Sequence, residues 1–349
     1  MSERVTIAGR QLGGGRPCYV IAEAGSNHNG SLDTALRMID IAADAGADAV
    51  KFQVFRANRM YPHTAGVSDY LNDPTPIFDI IAAMEMPFEW LPTLAERCAA
   101  RRVHFLATAF DEESADRVDP FVPAHKVASY EMTHEPLVRH LAGKGKPVFM
   151  STGTATGEEV ADAVSAFRAT GNPNLILLQC TAAYPAPLDA LHVRAMDALA
   201  ARFQLLVGLS DHSRDPIVAP VVAVAKGASV VEKHFTLSNA SAGPDHKFAV
   251  EPDELAAMVA AIRDAERVLG RAEKEVDSVE LELRAFARRS VFAVRPIAAG
   301  EPLTTENTAV LRCGKNAPGL PPSSYSSLLG RKAVRAISAD VPIQAGDLS

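Results

Sequence analysis

Eight short apolar runs in this chain each break on polar or ionisable side chains. The runs are CYVIAEAG (18–25), DAVKFQVF (48–55), VHFLATAF (103–110), HKVASY (125–130), PVFMSTG (147–153), LILLQCTA (175–182), FQLLVGLS (203–210) and SVVEKHFTL (229–237). In or just past them stand Glu23, Lys51 with Gln53, Thr108, Lys126 with Ser129 and Glu131, Ser151, Tyr184, Ser210 with His212, and Glu232 with His234. His212 and His234 close the last two runs. Two imidazoles brought together could ligate a divalent metal and leave positions open for water and substrate. Glu23 could ligate the same ion or hold its bound water. Lys51 and Lys126, with Thr108, Ser129, Ser151 and Ser210, offer two positive charges among hydroxyl donors. That set suits a small anion bearing phosphate and carboxylate. A Schiff-base lysine, as in some aldolases, is the rival use. Lys233 alternates with Glu232 and His234, so it is expected to point away from them and run to the surface. Tyr184, in QCTAAYPAP, either touches a substrate or packs beside prolines. Asp245, in GPDHKFAV, either reaches the same site or forms a turn.

Such a set acts together only if one architecture converges it. Amphipathic helical stretches separate the runs. SLDTALRMIDIAADAG and TGEEVADAVSAFRATG are two, each opening on a Ser or Thr cap signal and closing on Gly. Strands alternating with helices predict a parallel sheet. Eight such units in roughly 250 residues predict a (β/α)8 barrel, an α/β fold whose C-terminal strand ends line the active site. The competitor, an open doubly wound sheet, favours a glycine-rich phosphate loop after its first strand. The turn after the first run here is GSNHNG, which is not GxGxxG. The barrel is assigned to residues 1–270. Residues 271–287, RAEKEVDSVELELRAFA, read as a charged linker. Residues 288–349, with short apolar runs between AG, PG and PP turns, read as a small mainly β module.

The net charge of −7 argues against non-specific nucleic-acid binding. Cys18, Cys98, Cys180 and Cys313 form no CxxC pair, which suits a reducing compartment. MSERVTIAGRQLGGG lacks a signal-peptide core, and no stretch reaches the ~18 apolar residues of a membrane span. A cytoplasmic protein without membrane or nucleic-acid partners is expected.

The ordered motifs AEAGSNHNG, VKFQ, KVASYE, STGT, QCTAAYPAP, GLSDHS and EKHFTL resemble those of the sialic acid synthase family, from about residue 18 to the C-terminus. RRSVFAVRPIAAGEPLTTENTAV resembles the start of that family's antifreeze-like (SAF) domain. The resemblance implies condensation of phosphoenolpyruvate with an open-chain N-acylated aminosugar, by C–C bond formation and C–O cleavage, giving a nonulosonic acid and phosphate. The acceptor would be N-acetylmannosamine or a 2,4-diacetamido-6-deoxy hexose. It implies a divalent metal on His212 and His234, manganese first, with magnesium or cobalt as alternatives. Lys51, Thr108, Lys126, Ser129, Ser151 and Ser210 match the phosphoenolpyruvate site; Glu131, Tyr184 and Asp245 match the sugar side; Glu23 and Glu232 stand near the metal. Gln53 falls within VKFQ and is grouped with the substrate contacts. In the family a domain-swapped homodimer brings an Arg of the SAF domain to the partner's sugar. In LRCGKNAPGLPP that position holds Lys315, with Arg312 three residues earlier. Lys is no equivalent of Arg where bidentate contact matters. Ala182 stands where many members have Asn, and ASYE (128–131) where many have GSGE. Without that Asn one anion contact is missing or replaced; ASYE resembles the pseudaminic and legionaminic branches while AEAGSNHNG leans toward the neuraminic and legionaminic ones, so the acceptor stays open. The alternatives are a Schiff-base or metal-dependent sugar aldolase on the same barrel, and a non-enzymatic carbohydrate binder.

Overall fold

The barrel strands are apolar because both their faces are covered. Tyr19–Gly25 (β1) is buried at every residue. The others are Ala49–Val54 (β2), His104–Ala109 (β3), His125–Val127 (β4), Val148–Ser151 (β5), Leu175–Cys180 (β6), Leu206–Asp211 (β7) and Val230–His234 (β8). In this computed structural model, which describes residues 4–71 and 73–349, the eight strands pair in parallel and close, with β8 beside β1. The chain thus forms the expected (β/α)8 barrel. β4 is shorter than the run that announced it: pairing ends at Val127, and residues 129–133 form a turn.

The helices are Leu32–Asp44 (α1), Ile77–Ala83 (α2), Leu91–Arg101 (α3), Glu112–Val118 (α4), Glu135–Gly143 (α5), Gly157–Arg168 (α6), Ala195–Phe203 (α7), Val218–Ala225 (α8) and Pro252–Leu269 (α9). Ser31 caps α1 by accepting from Thr34 N. Thr156 and Glu159 form a reciprocal capping box at α6. Past both helices the chain reverses through a left-handed glycine, Gly46 at φ +82° and Gly171 at φ +84°.

Strand side chains alternate between the barrel interior and the helix layer. Tyr19, Ile21, Ala49, Leu106, Phe149, Ile176, Leu178 and Val230 form the inner core. An antiparallel hairpin, Val5–Ile7 with Arg10–Leu12, adds Val5, Ile7 and Leu12 to that core. Its strands are three residues each, too short for periodicity to announce. Val20, Ala22, Val50 and Val231 face outward into the larger core shared with the helices.

The C-terminal unit, Arg271–Ser349, is compact in its own right, so the predicted linker groups with it. Arg289–Ala293 (β9) pairs antiparallel with Thr308–Arg312 (β10) and with Val341–Pro342 (β11). Val291, Ala293, Ile297, Leu303, Leu328, Ala333, Ile337, Ile343 and Leu348 supply its core.

Candidate active site

Period-two alternation carries each inner strand face from an apolar floor to a polar top. Ile21 is followed two residues on by Glu23, Ala49 by Lys51 and then Gln53, Leu106 by Thr108, Phe149 by Ser151, and Val230 by Glu232 and then His234. These tops enclose a cavity of about 400 Å³. Its walls include Glu23, Lys51, Gln53, Thr108, Lys126, Ser129, Ser151, Tyr184, Ser210, His212, Glu232, His234 and Asp245.

Four buried charges stand at the bottom. Lys51 Nζ lies 2.6 Å from Glu23 Oε2 and 3.7 Å from Glu232 Oε1, and donates to Thr108 Oγ1 at 2.9 Å. Lys126 Nζ donates to Ser151 Oγ at 2.8 Å and to the Val127 carbonyl at 3.1 Å, and lies 3.9 Å from Glu232 Oε1. Ser210 Oγ donates to Glu232 Oε1 at 3.2 Å. Burial pushes the Glu23 carboxyl up to about 7 despite the Lys51 ammonium. For Glu232 burial is outweighed by Lys126 and Lys51, which hold it below the usual carboxylate range. Burial lowers Lys126; for Lys51 burial is outweighed by Glu23 and Glu232, and its pKa rises.

The two histidine rings lie 5.2 Å apart. His212 Nδ1 stands 3.1 Å from the Thr181 carbonyl and 3.7 Å from Cys180 Sγ. A carbonyl only accepts, so that contact places the proton on Nδ1 and leaves the Nε2 lone pair for a ligand. Against the burial penalty, Cys180 raises the His212 pKa. Burial and His212 hold His234 well below the usual histidine range, so it is neutral. His234 Nδ1 is buried without a hydrogen-bond partner and lies 3.6 Å from Asp245 Oδ2. Burial raises Asp245 to about 6. Glu23 Oε1 is likewise buried without a hydrogen bond. Among the described residues no group of three or more His, Cys, Asp or Glu side chains is placed to hold a metal ion. The pair of imidazoles with unpartnered acceptors beside it still fits a divalent ion that keeps open positions.

Backbone shape helps converge these groups. The β1–β2 register shifts between Glu23 and Gly25. Gly25 has φ +54°, and a Cβ there would meet Glu23 Oε1, Asp245 Oδ2 and Gln53 Oε1 at 3.4–3.5 Å. His28, in the turn beyond, accepts from Gly30 N at 3.1 Å and packs its ring edge-on to Trp90, so it serves the loop.

One predicted barrel residue lies outside the cavity wall, and the two residues expected to serve a partner's site lie in the C-terminal unit. Glu131 sits in the turn after β4, half-buried and outside the cavity wall, with burial raising its carboxyl to about 7. Arg312 ends β10, and Lys315 Nζ lies 5.7 Å from the Phe286 ring centroid; both belong to the C-terminal unit. The expectation that Lys233 reaches the surface is wrong. Its side chain is 1% exposed, bonding Asp211 Oδ2 at 2.6 Å and the Ser213 carbonyl at 2.6 Å. The outer face of a barrel strand meets helices rather than water, so this ammonium pairs instead of snorkelling. Sequence reasoning also passed over Tyr130 and the apolar wall from Phe55, Met60, Ile77, Ile80, Ile81 and Met84. The last four recur at helical spacing, a signal of a helix face but not of what it faces.

The NeuB family model matches residues 38–274, and the SAF domain model matches residues 288–349. The spore coat polysaccharide biosynthesis protein SpsE of Bacillus subtilis is 41% identical, over 98% of this chain and 96% of its own length. Its crystal structure superposes with a TM-score of 0.68, covering 99% of each chain. The N,N'-diacetyllegionaminic acid synthase of Legionella pneumophila is 38% identical, over 94% of this chain and 93% of its own. The N-acetylneuraminic acid synthetase of Leptospira borgpetersenii, solved with citrate, is 33% identical with a TM-score of 0.73, covering 80% of this chain and 96% of that one. Among the described residues no helix is long and apolar enough to cross a membrane.

Proposed function

This chain belongs to the NeuB family, and from that premise we propose that it condenses phosphoenolpyruvate with an open-chain N-acylated aminosugar, giving a nonulosonic acid and phosphate. The family makes it an enzyme of the sialic, legionaminic and pseudaminic acid synthase type. The observation that carries the finer reading is the grouping of Lys51, Lys126, Glu23 and Glu232 in one cavity with His212 and His234.

In this reading Lys51 and Lys126, with Thr108, Ser129, Ser151 and Ser210, bind the phosphate and carboxylate of phosphoenolpyruvate. Asp245, Tyr184 and Gln53 orient the sugar with its aldehyde carbon toward C3 of the enol. Glu131 remains a sugar-side candidate by family resemblance; it would have to reach the sugar from outside the cavity wall. C3 attacks that carbon, the aldehyde oxygen takes up a proton, and water adds at C2 with loss of a proton. The resulting tetrahedral centre expels phosphate by C–O cleavage. Glu23, raised to about 7 with Oε1 free of hydrogen bonds, is matched to take the proton from the adding water. Glu232 stays ionised and balances the two lysines. His212 and His234 would hold a divalent metal, manganese first, which when bound polarises the aldehyde oxygen as a Lewis acid. The compartment is the cytoplasm, in keeping with four cysteines that are all free and buried. The assembly is a homodimer in which Arg312 or Lys315 serves the partner's site.

The test is incubation with MnCl2, phosphoenolpyruvate and a panel of N-acylated aminosugars, reading phosphate release and product mass. Chelation by EDTA should stop release and manganese should restore it. No phosphate with any acceptor rejects the reaction. One observation favours a second reading: burial lowers the Lys126 pKa, as a Schiff-base lysine requires. Borohydride with substrate would then leave a covalent adduct on Lys126, and its absence rejects the aldolase.

A further inference from the structure

Helix α2 buries none of its side chains fully. Ile77, Ile80 and Ile81, with Met84 just past its end, stand at i, i+3, i+4 and i+7, a single apolar stripe. All four are half-buried, and all four line the cavity. An amphipathic helix normally sinks such a stripe into a core. This one is turned toward the site instead. Among the described residues, the segment from Phe55 to Met84 gives the cavity only two hydroxyl groups, Tyr61 and Ser68, and no charge.

The stripe also has a definite end of the cavity. Ile80 and Met84 line both this cavity and the groove beside it, as do Tyr184 and Asp245; Lys51, Lys126 and Ser151 line only the cavity. Ile80 and Met84 therefore lie toward the rim, away from the lysines that bind the anion. An acceptor whose aldehyde carbon reaches the strand ends must direct its far end, C4 to C6, toward that rim.

We infer that the α2 stripe selects an acceptor whose far end is apolar: a 2,4-diacetamido-6-deoxy hexose rather than N-acetylmannosamine. This rests on the condensation proposed above. The deoxy sugar presents to the stripe a C6 methyl and the methyl of a 4-acetamido group, while its 4-amide N–H and C=O, like a C4 hydroxyl, are left to the polar rim residues Tyr184 and Asp245. N-acetylmannosamine presents hydroxyls at C4 and C6. The C6 hydroxyl is the discriminating group: against isoleucine and methionine it loses water and gains no hydrogen bond from them, where a C6 methyl loses nothing. An apolar wall discriminates against an added hydroxyl by about tenfold to a hundredfold, not more.

The test separates acceptor recognition from chemistry. The full-length protein with manganese and phosphoenolpyruvate is titrated calorimetrically with the alditols of both sugars, which lack the aldehyde and cannot react. The deoxy alditol should bind about tenfold to a hundredfold more tightly. Ile80→Thr and Met84→Gln, each checked by thermal melting, should shrink that ratio severalfold by strengthening the other alditol. Equal affinities, a reversed order or no binding of either alditol would overturn the inference. So would an unchanged ratio in both folded variants. Phosphate release is measured in parallel with both sugars. Its absence beside the expected ranking would reject the condensation while supporting the role of the wall.

Discussion

Glu23 and Glu232 are carboxylates in one cavity, both near Lys51, and their environments push them in opposite directions. Such a split separates a group that moves protons from one that holds charge. Glu23→Gln should cut turnover by about a hundredfold or more while phosphoenolpyruvate still binds. The wild-type rate should rise with pH through about 7, where Glu23 ionises, and that limb should vanish in the variant. The stability sign is the reverse. A carboxyl raised above its unfolded value binds more protons folded than unfolded, so it costs stability as pH rises from the ordinary value of 4.5 to about 7. Glu23→Gln should therefore gain stability over wild type across that window in urea titrations, and a parallel offset at all pH would reject the assignment. His234→Ala is read by manganese binding. Loss of a group that merely orients a ligand costs tenfold to a hundredfold in affinity, so loss of the ligand itself should cost more than about a hundredfold. Unchanged binding by electron paramagnetic resonance would remove His234 from the metal.

At the scale of elements, β8 shows what alternation can and cannot tell. VVEKH places Glu232 and His234 on one face and Lys233 on the other, and that much is legible from period two. The sequence does not say that the other face is covered, and there Lys233 becomes a clamp. It joins Asp211 to the Ser213 carbonyl, the two neighbours of His212, while its own neighbour is His234. One buried ammonium thus spans the β7 and β8 ends that present both imidazoles. Lys233→Met leaves Asp211 buried and unpaired, which should cost about 3–5 kcal/mol in urea unfolding. Adding Asp211→Asn should recover part of that loss. Manganese affinity should fall in the single variant even where the barrel remains folded, and unchanged affinity would reject the clamp. The same limit applies to α2 and the N-terminal hairpin. Spacing reveals the α2 face but not the cavity it borders, and Val5–Ile7 is too short to show a period. Glu23, Lys51 and Thr108 were legible because polar residues at consecutive strand ends have no place in a packed apolar barrel.

For the whole molecule, the question is why a barrel that already gathers the chemical groups is joined to a second unit. Each unit has its own core, so stability does not require the pairing. The proposed reason is the acceptor: Arg312 or Lys315 reaches the sugar in the partner's barrel, so neither subunit is complete alone. Mixing two inactive proteins tests this. One carries His234→Ala, with a sound SAF domain; the other carries Arg312→Ala with Lys315→Ala, with a sound barrel. In a swapped dimer, each mixed pair joins one sound barrel to one sound SAF domain, restoring one site of two. Random exchange makes half the dimers mixed, so about a quarter of wild-type phosphate release should return after mixing and re-equilibration. If each SAF domain serves its own barrel, no mixed pair holds a complete site. Activity would then stay at the level of the separate mutants, and the exchanged-domain dimer would be rejected.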